Sequence, residues 1–164
     1  MSELRTNRIV PRDGLVSGAS GGVIQVVFSS LATGSTVTVN SSSFVDVMSA
    51  SITPTRSDSK ILVQVTSSPK TNGSSSNFQF GAQIQRDSTT IMYDNEYLQM
   101  NNGYAPNSMN GAYTVLDSPA STSAITYKFR VKETVDGREL YFENSTDNTG
   151  NYYNKHTMTC LLYT

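Results

Sequence analysis

Ser123-Ala-Ile-Thr-Tyr-Lys-Phe-Arg-Val-Lys132 alternates without a break. Ile125, Tyr127, Phe129 and Val131 fall on one side of an extended chain. Ala124, Thr126, Lys128, Arg130 and Lys132 fall on the other. Successive side chains of a strand point to opposite faces, so this segment has one apolar face and one wet face. It predicts a half-buried β-strand. The row Lys128, Arg130, Lys132 reads as a solvated sheet face that also discourages edge pairing.

The pattern recurs on both sides of this stretch. Val23–Phe28, Thr36–Val39, Phe44–Met48, Lys60–Val65, Thr89–Tyr93 and Ala112–Leu116 read as strands. So does the run in which Phe78, Phe80, Ala82 and Ile84 alternate with glutamines and Gly81. Asp136-Gly137 is a hairpin signal expected to join the opening stretch to Arg138–Glu143. His156–Thr164 closes the chain as a strand whose two faces both look partly covered. Asp94–Gly111 and Asn144–Asn154 read as polar loops. Roughly eight to ten short strands at this spacing, with no helical period, indicate an all-β antiparallel β-sandwich, most simply a jelly roll. No internal repeat of fixed period is present.

Composition sets bounds on function. A chain of 164 residues holds one domain of ordinary core size plus a tail. Charged residues are only 15%, and Ser and Thr fill roughly a quarter of the chain, which suits polar strands and turns. A net charge of −1 leaves no electrostatic footprint for nucleic acid. No window is apolar enough for membrane insertion, and the first residues lack the apolar core of a signal peptide, so a chain made and folded in a cytoplasm is expected. Cys160 is the single cysteine, which rules out an internal disulfide and reads as a buried, inert thiol.

Residues 1–22 differ from the rest. Pro11, Asp13-Gly14 and the run Ser17-Gly-Ala-Ser-Gly-Gly22 break any regular element. The expectation is an extended arm and a Gly/Ser hinge, followed by a sandwich over 23–164. Such an arm orders only on another surface. Leu4, Arg5, Arg8, Ile9, Val10 and Arg12 are its candidate attachment residues, the arginines fitting an acidic partner surface.

Chemistry is thinly represented. His156 is the one histidine and reads as structural. One Cys and one His do not make a zinc site, and no phosphate loop occurs, so no cofactor is expected. Asp94, Asn95 and Glu96, or Asp147 with its asparagines, could offer oxygens to calcium but lack the spacing of an EF-hand. Tyrosines stand out more. Tyr97, Tyr104, Tyr152 and Tyr153 fall in Asn/Gly/Ser-rich loops, a mixture that makes adaptable polar surfaces with flat anchors, and they are the candidate glycan contacts. Tyr93 and Tyr113 read as caps on the core.

Several spaced blocks carry a family resemblance. Leu4-Arg-Thr-Asn-Arg-Ile-Val-Pro-Arg-Asp-Gly14 followed by a hinge and Val23-Ile-Gln-Val-Val27 resembles the start of small virion fibre proteins of tailed phages, marine and cyanobacterial ones in particular. Phe44-Val-Asp-Val47, Ile52–Val63 and Leu116–Tyr127 resemble stretches of the same group. The resemblance implies a tail-fibre-like virion structural protein with a β-sandwich head, homotrimers, and an arm that attaches to other virion proteins. It carries no catalytic residue, and no enzyme is expected. The expected function is thus a short trimeric fibre or spike in the virion that meets a host-surface glycan. A capsid decoration or head-fibre protein of the same fold is the alternative, and a free carbohydrate-binding module or glycosidase a further one.

Overall fold

The computed structural model describes residues 22–71, 78–100, 110–134, 139–146, 152–153 and 156–163. The arm, Tyr104, Asp147 and the Asp136-Gly137 turn lie outside them. The described residues contain no helix, hence none long and apolar enough to cross a membrane. The strands are β1 (Val23–Ser30), β2 (Thr36–Val39), β3 (Val45–Ile52), β4 (Lys60–Ser67), β5 (Lys70–Thr71), β6 (Phe78–Arg86), β7 (Thr89–Met100), β8 (Gly111–Asp117), β9 (Ile125–Glu133), β10 (Leu140–Glu143), β11 (Ser145–Thr146), β12 (Tyr152–Tyr153) and β13 (Thr157–Tyr163).

Two four-stranded sheets form the body, ordered β1-β13-β4-β8 and β3-β9-β6-β7, with every neighbouring pair antiparallel. Counting only these eight strands along the chain, the orders become 1-8-3-6 and 2-7-4-5. That is a jelly roll, two Greek keys wound into one sandwich. A three-stranded sheet β2-β10-β5 and the pair β11-β12 are built from the connections.

The alternation places the core as expected. Ile125, Tyr127, Phe129 and Val131 of β9 are buried, as are Phe80, Ala82 and Ile84 of β6. They face Ile61, Val63 and Val65 of β4 and Met158, Cys160 and Leu162 of β13. Burial pushes the Cys160 thiol up to about 12, which leaves it protonated and unreactive. Tyr127 reaches across the sandwich with its hydroxyl donating to Asp117 Oδ2 of β8 at 2.6 Å. Arg86 of β6 holds the same carboxylate through Nη1 at 2.9 and 3.0 Å. The two sheets are therefore tied by a charged bond as well as by apolar contact.

Three expectations change. Lys128, Arg130 and Lys132 lie on a central strand, because β9 runs between β3 and β6, so the row guards no edge. It does form a wet face: Asp46 takes Lys128 at 3.1 Å and Arg130 as well. Partial burial alone would raise the Asp46 pKa, but these two cations outweigh it and hold the carboxyl below its ordinary value. β10 does not hairpin onto β9; it pairs with β2 and β5 instead. The chain after Tyr93 is no loop, since β7 continues to Met100.

Candidate interaction surface

The register fixes which strand ends lie together. Val23 pairs with Tyr163, Lys60 with Tyr163 and Ile61 with Asp117, so one end of this sheet carries the start of β1 and the end of β13. The connections 53–59, 87–88 and 118–124 close the same pole. The opposite pole carries Ser30 beside Thr157 and Ser67 beside Gly111. All the long connections leave and return there: 31–44, 68–77, 101–110 and 134–156. The strand ends sort in this way because consecutive strands of the body alternate direction; each connection crosses between the sheets except the 87–88 turn, which joins β6 to β7 within one. The sandwich is polar: the start of β1 and the end of β13 lie at one pole, and the strand ends that the long connections join lie at the other.

The elaborated pole is knitted together by a few polar residues. Asn144, after β10, donates Nδ2–H to the Leu31 carbonyl at 2.7 Å, and its carbonyl accepts from Gly34 N at 2.7 Å. Gly34 has φ +79°, a conformation that suits a residue without Cβ. Lys70 of β5 meets Glu143 at 3.1 Å. His156 is buried; Nδ1 accepts from Ser68 N at 3.3 Å and Nε2 lies 3.1 Å from the Glu143 carbonyl, which requires the proton on Nε2. Burial holds this imidazole below its ordinary pKa, against an opposing pull from Glu143. Its ring packs at a tilt 5.3 Å from Phe142, and Phe142 continues to Phe129 in the core at 6.2 Å. The pole is thus a braced platform.

The candidate tyrosines divide. Tyr104 lies outside the described residues, and Tyr152 and Tyr153 form β12 against Ser145 and Thr146. Tyr97 is a correction. It is 9% exposed, and its ring packs 5.5 Å from Tyr113 and 5.7 Å from Phe129. Its hydroxyl bonds Ser67 Oγ, and burial pushes its pKa up to about 12. A buried, bonded ring is not offered to a sugar. The cause is an irregularity in the β6–β7 pairing, where Phe80 faces Leu98 but Ala82 faces Asp94. The extra residues on β7 bulge and re-aim Tyr97 inward. Asp94 stabilises the bulge, its Oδ1 accepting from Glu96 N at 2.8 Å and its Oδ2 from the Tyr113 hydroxyl at 2.5 Å. Both carboxylate oxygens of Asp94, one of the residues considered for calcium, are therefore engaged in the fold. Burial, reinforced by that carboxylate, raises the Tyr113 pKa.

Two surface features escaped the sequence reading. Tyr93 does not cap the core; it is 52% exposed on the wet face, edge-on to Phe44 at 6.1 Å. Lys132 lies over both rings, at 5.2 Å from Phe44 and 5.7 Å from Tyr93. A groove of about 310 Å³ runs beside the end of β1, lined by Ser29, Ser30, Asp46, Ser49 and Lys128 among others. Its charged pair is closed on itself, so it offers hydroxyls and not a free charge.

No family model matches the chain, and no curated protein does. Solved structures resemble it in fold. A chain in the structure of infectious bursal disease virus, Gx strain, aligns with a TM-score of 0.52 at 10% identity, covering 96% of this chain and 36% of that one. A mutant VP2 protein of infectious bursal disease virus, from derived T=1 particles, aligns with a TM-score of 0.50 at 11% identity, covering 98% and 40%. This chain spans well under half the length of either. At such identity the likeness is one of fold.

Proposed function

We propose that the chain is a structural subunit of a virus particle. Residues 1–22 dock it on other virion proteins, and its elaborated pole is turned outward. The observation that carries this reading is the polarity of the sandwich. An arm that precedes β1 enters at the terminal pole, as far as the fold permits from the braced platform. A body built this way has one end for attachment and another for display. The likeness in fold to proteins of a virus particle and the phage-fibre resemblance of the sequence support the same reading.

In its finer form the subunit is a short trimeric fibre or spike. Leu4, Arg5, Arg8, Ile9, Val10 and Arg12 hold the arm to the particle. Tyr104, Tyr152 and Tyr153 meet a host-surface glycan, stacking on its C–H faces while neighbouring amides bond its hydroxyls. A decoration protein on the capsid shell is the second reading, favoured by the T=1 particle origin of one similar fold.

Deleting residues 2–20 tests the attachment. The truncated body should fold with the same melting profile and be missing from purified particles. Normal incorporation of that truncation overturns the role of the arm. A glycan array probed with the full chain tests the adhesive part, and an array without a single bound glycan removes it.

A further inference from the structure

The outer face of the β1-β13-β4-β8 sheet is unlike that of its partner sheet. Val26 stands opposite Leu161, Leu161 opposite Leu62, and Leu62 opposite Leu116. Four aliphatic side chains thus form one row across all four strands, on the side away from the core. Phe28 heads the next row, with Thr159, Gln64 and Thr114. Val26, Phe28 and Leu116 are 57%, 63% and 62% exposed, and Ile24 is 51% exposed. Among the described residues of this face Lys60 is the single charge, and it sits at the margin with its Nζ on Ser118 Oγ. The other sheet turns Asp46, Lys128, Arg130 and Lys132 to water.

Beside its threonines and Gln64, this face carries a run of open apolar side chains with almost no charge around it. The open parts of Ile24, Val26, Phe28 and Leu116 sum to on the order of 400 Å², within the range where patches on soluble proteins serve as contact sites. β1 is moreover an edge strand, apolar and eight residues long, the sort that associates unless something covers it. The arm of the chain does not suit the role, because Arg5, Arg8 and Arg12 would find no carboxylate there. A second copy brings an equally neutral surface.

We propose that this face is the subunit interface of a homotrimer, turned toward a threefold axis that runs along the strands; the inference deepens the trimeric reading above and rests on it. Four strands about 4.8 Å apart make a sheet about 19 Å across. Three such sheets closed into a triangular prism stand about 5.5 Å from the axis, close to half the ~10 Å at which sheets pack face to face. One layer of side chains fills that space; four sheets in a square would leave a hollow. Leu62 and Leu161, on the two central strands, meet at the axis. Val26 and Phe28 on β1 of one copy meet Leu116 on β8 of the next, a head-to-tail contact that closes after three. All three terminal poles then lie on one side and all three platforms on the other.

Native mass of the full chain, with three variants, tests this. The natural chain should weigh three times its 17.8 kDa. Leu62→Glu with Leu116→Glu should run as a folded monomer with an unchanged far-ultraviolet spectrum, while Thr90→Glu on the other sheet stays trimeric. Val26→Cys with Leu116→Cys should give, after oxidation, a non-reducing ladder that ends at the trimer, since the buried Cys160 takes no part. A trimer that survives the two glutamates and yields no ladder overturns the interface and leaves the trimeric reading standing. A natural chain that is monomeric or dimeric overturns the trimer itself. A ladder that stops at the dimer overturns the threefold arrangement.

Discussion

Gly111 and Tyr97 show how closely single residues decide this fold. A Cβ at position 111 would meet the Tyr97 ring well inside contact distance. The ring has nowhere to go, being held by Tyr113, Phe129 and the bond to Ser67. Gly111→Ala should therefore cost about 1–3 kcal/mol, the usual penalty of overpacking, read as a lower urea midpoint at unchanged slope. Adding Tyr97→Leu should restore part of the loss; no restoration would mean that the ring is not the obstacle. Tyr127→Phe leaves Asp117 with Arg86 alone and should cost about 1.5–3 kcal/mol, as expected for a bond to a charged acceptor. The same scale marks where the sequence could be read and where it could not. Tyr127 and Phe129 were legible as core from alternation alone. Tyr97 was not, because a bulge in β7 breaks the period of two at that point.

Elements were legible wherever apolar and polar residues alternate for several positions. β4, β6, β9 and β13 fall where the pattern puts them. The short strands β5, β11 and β12 were not legible, since two residues carry no period and exist only through their partners. β10 was legible as a strand, but its partner was misread: Asp-Gly favours a tight turn locally, whereas β10 is captured by β2 from a distant part of the chain. His156 joins two of these connections, and its environment makes a pH prediction. Burial keeps the imidazole neutral in the folded chain, while in the unfolded chain it takes a proton near pH 6.5. The unfolded state thus binds more protons below that value, and stability falls as pH drops through it toward the lowered folded pKa. The melting temperature should decline between about pH 7.5 and 5.5, and His156→Gln should flatten that decline. Equal slopes in both proteins would remove His156 from the account. Asp46, with its pKa lowered by Lys128 and Arg130, acts only in the acid limb below about pH 4.

At the scale of the whole molecule, strand order was only partly within reach. Eight alternating strands narrow the choice to sandwiches and barrels, and the order 1-8-3-6 with 2-7-4-5 is set by contacts between segments far apart in the chain. The polarity of the body follows from that order and could not be read beforehand. It brings the strand ends that the long connections join together at the pole opposite the start of β1 and the end of β13. The apolar outer face was half visible: Val23–Phe28 is apolar at almost every position, and Leu161 and Tyr163 share a face of β13. That they join Leu62 and Leu116 in one row emerges only with the register.

Attachment at one pole and display at the other is most directly tested by cryo-electron microscopy of the intact particle. The account predicts density for this sandwich on the particle surface, with Val23 and Tyr163 toward the particle and the β2-β10-β5 sheet pointing away from it. A sandwich seated by its platform, with the start of β1 exposed to solvent, would contradict it, and so would purified particles that lack the chain altogether.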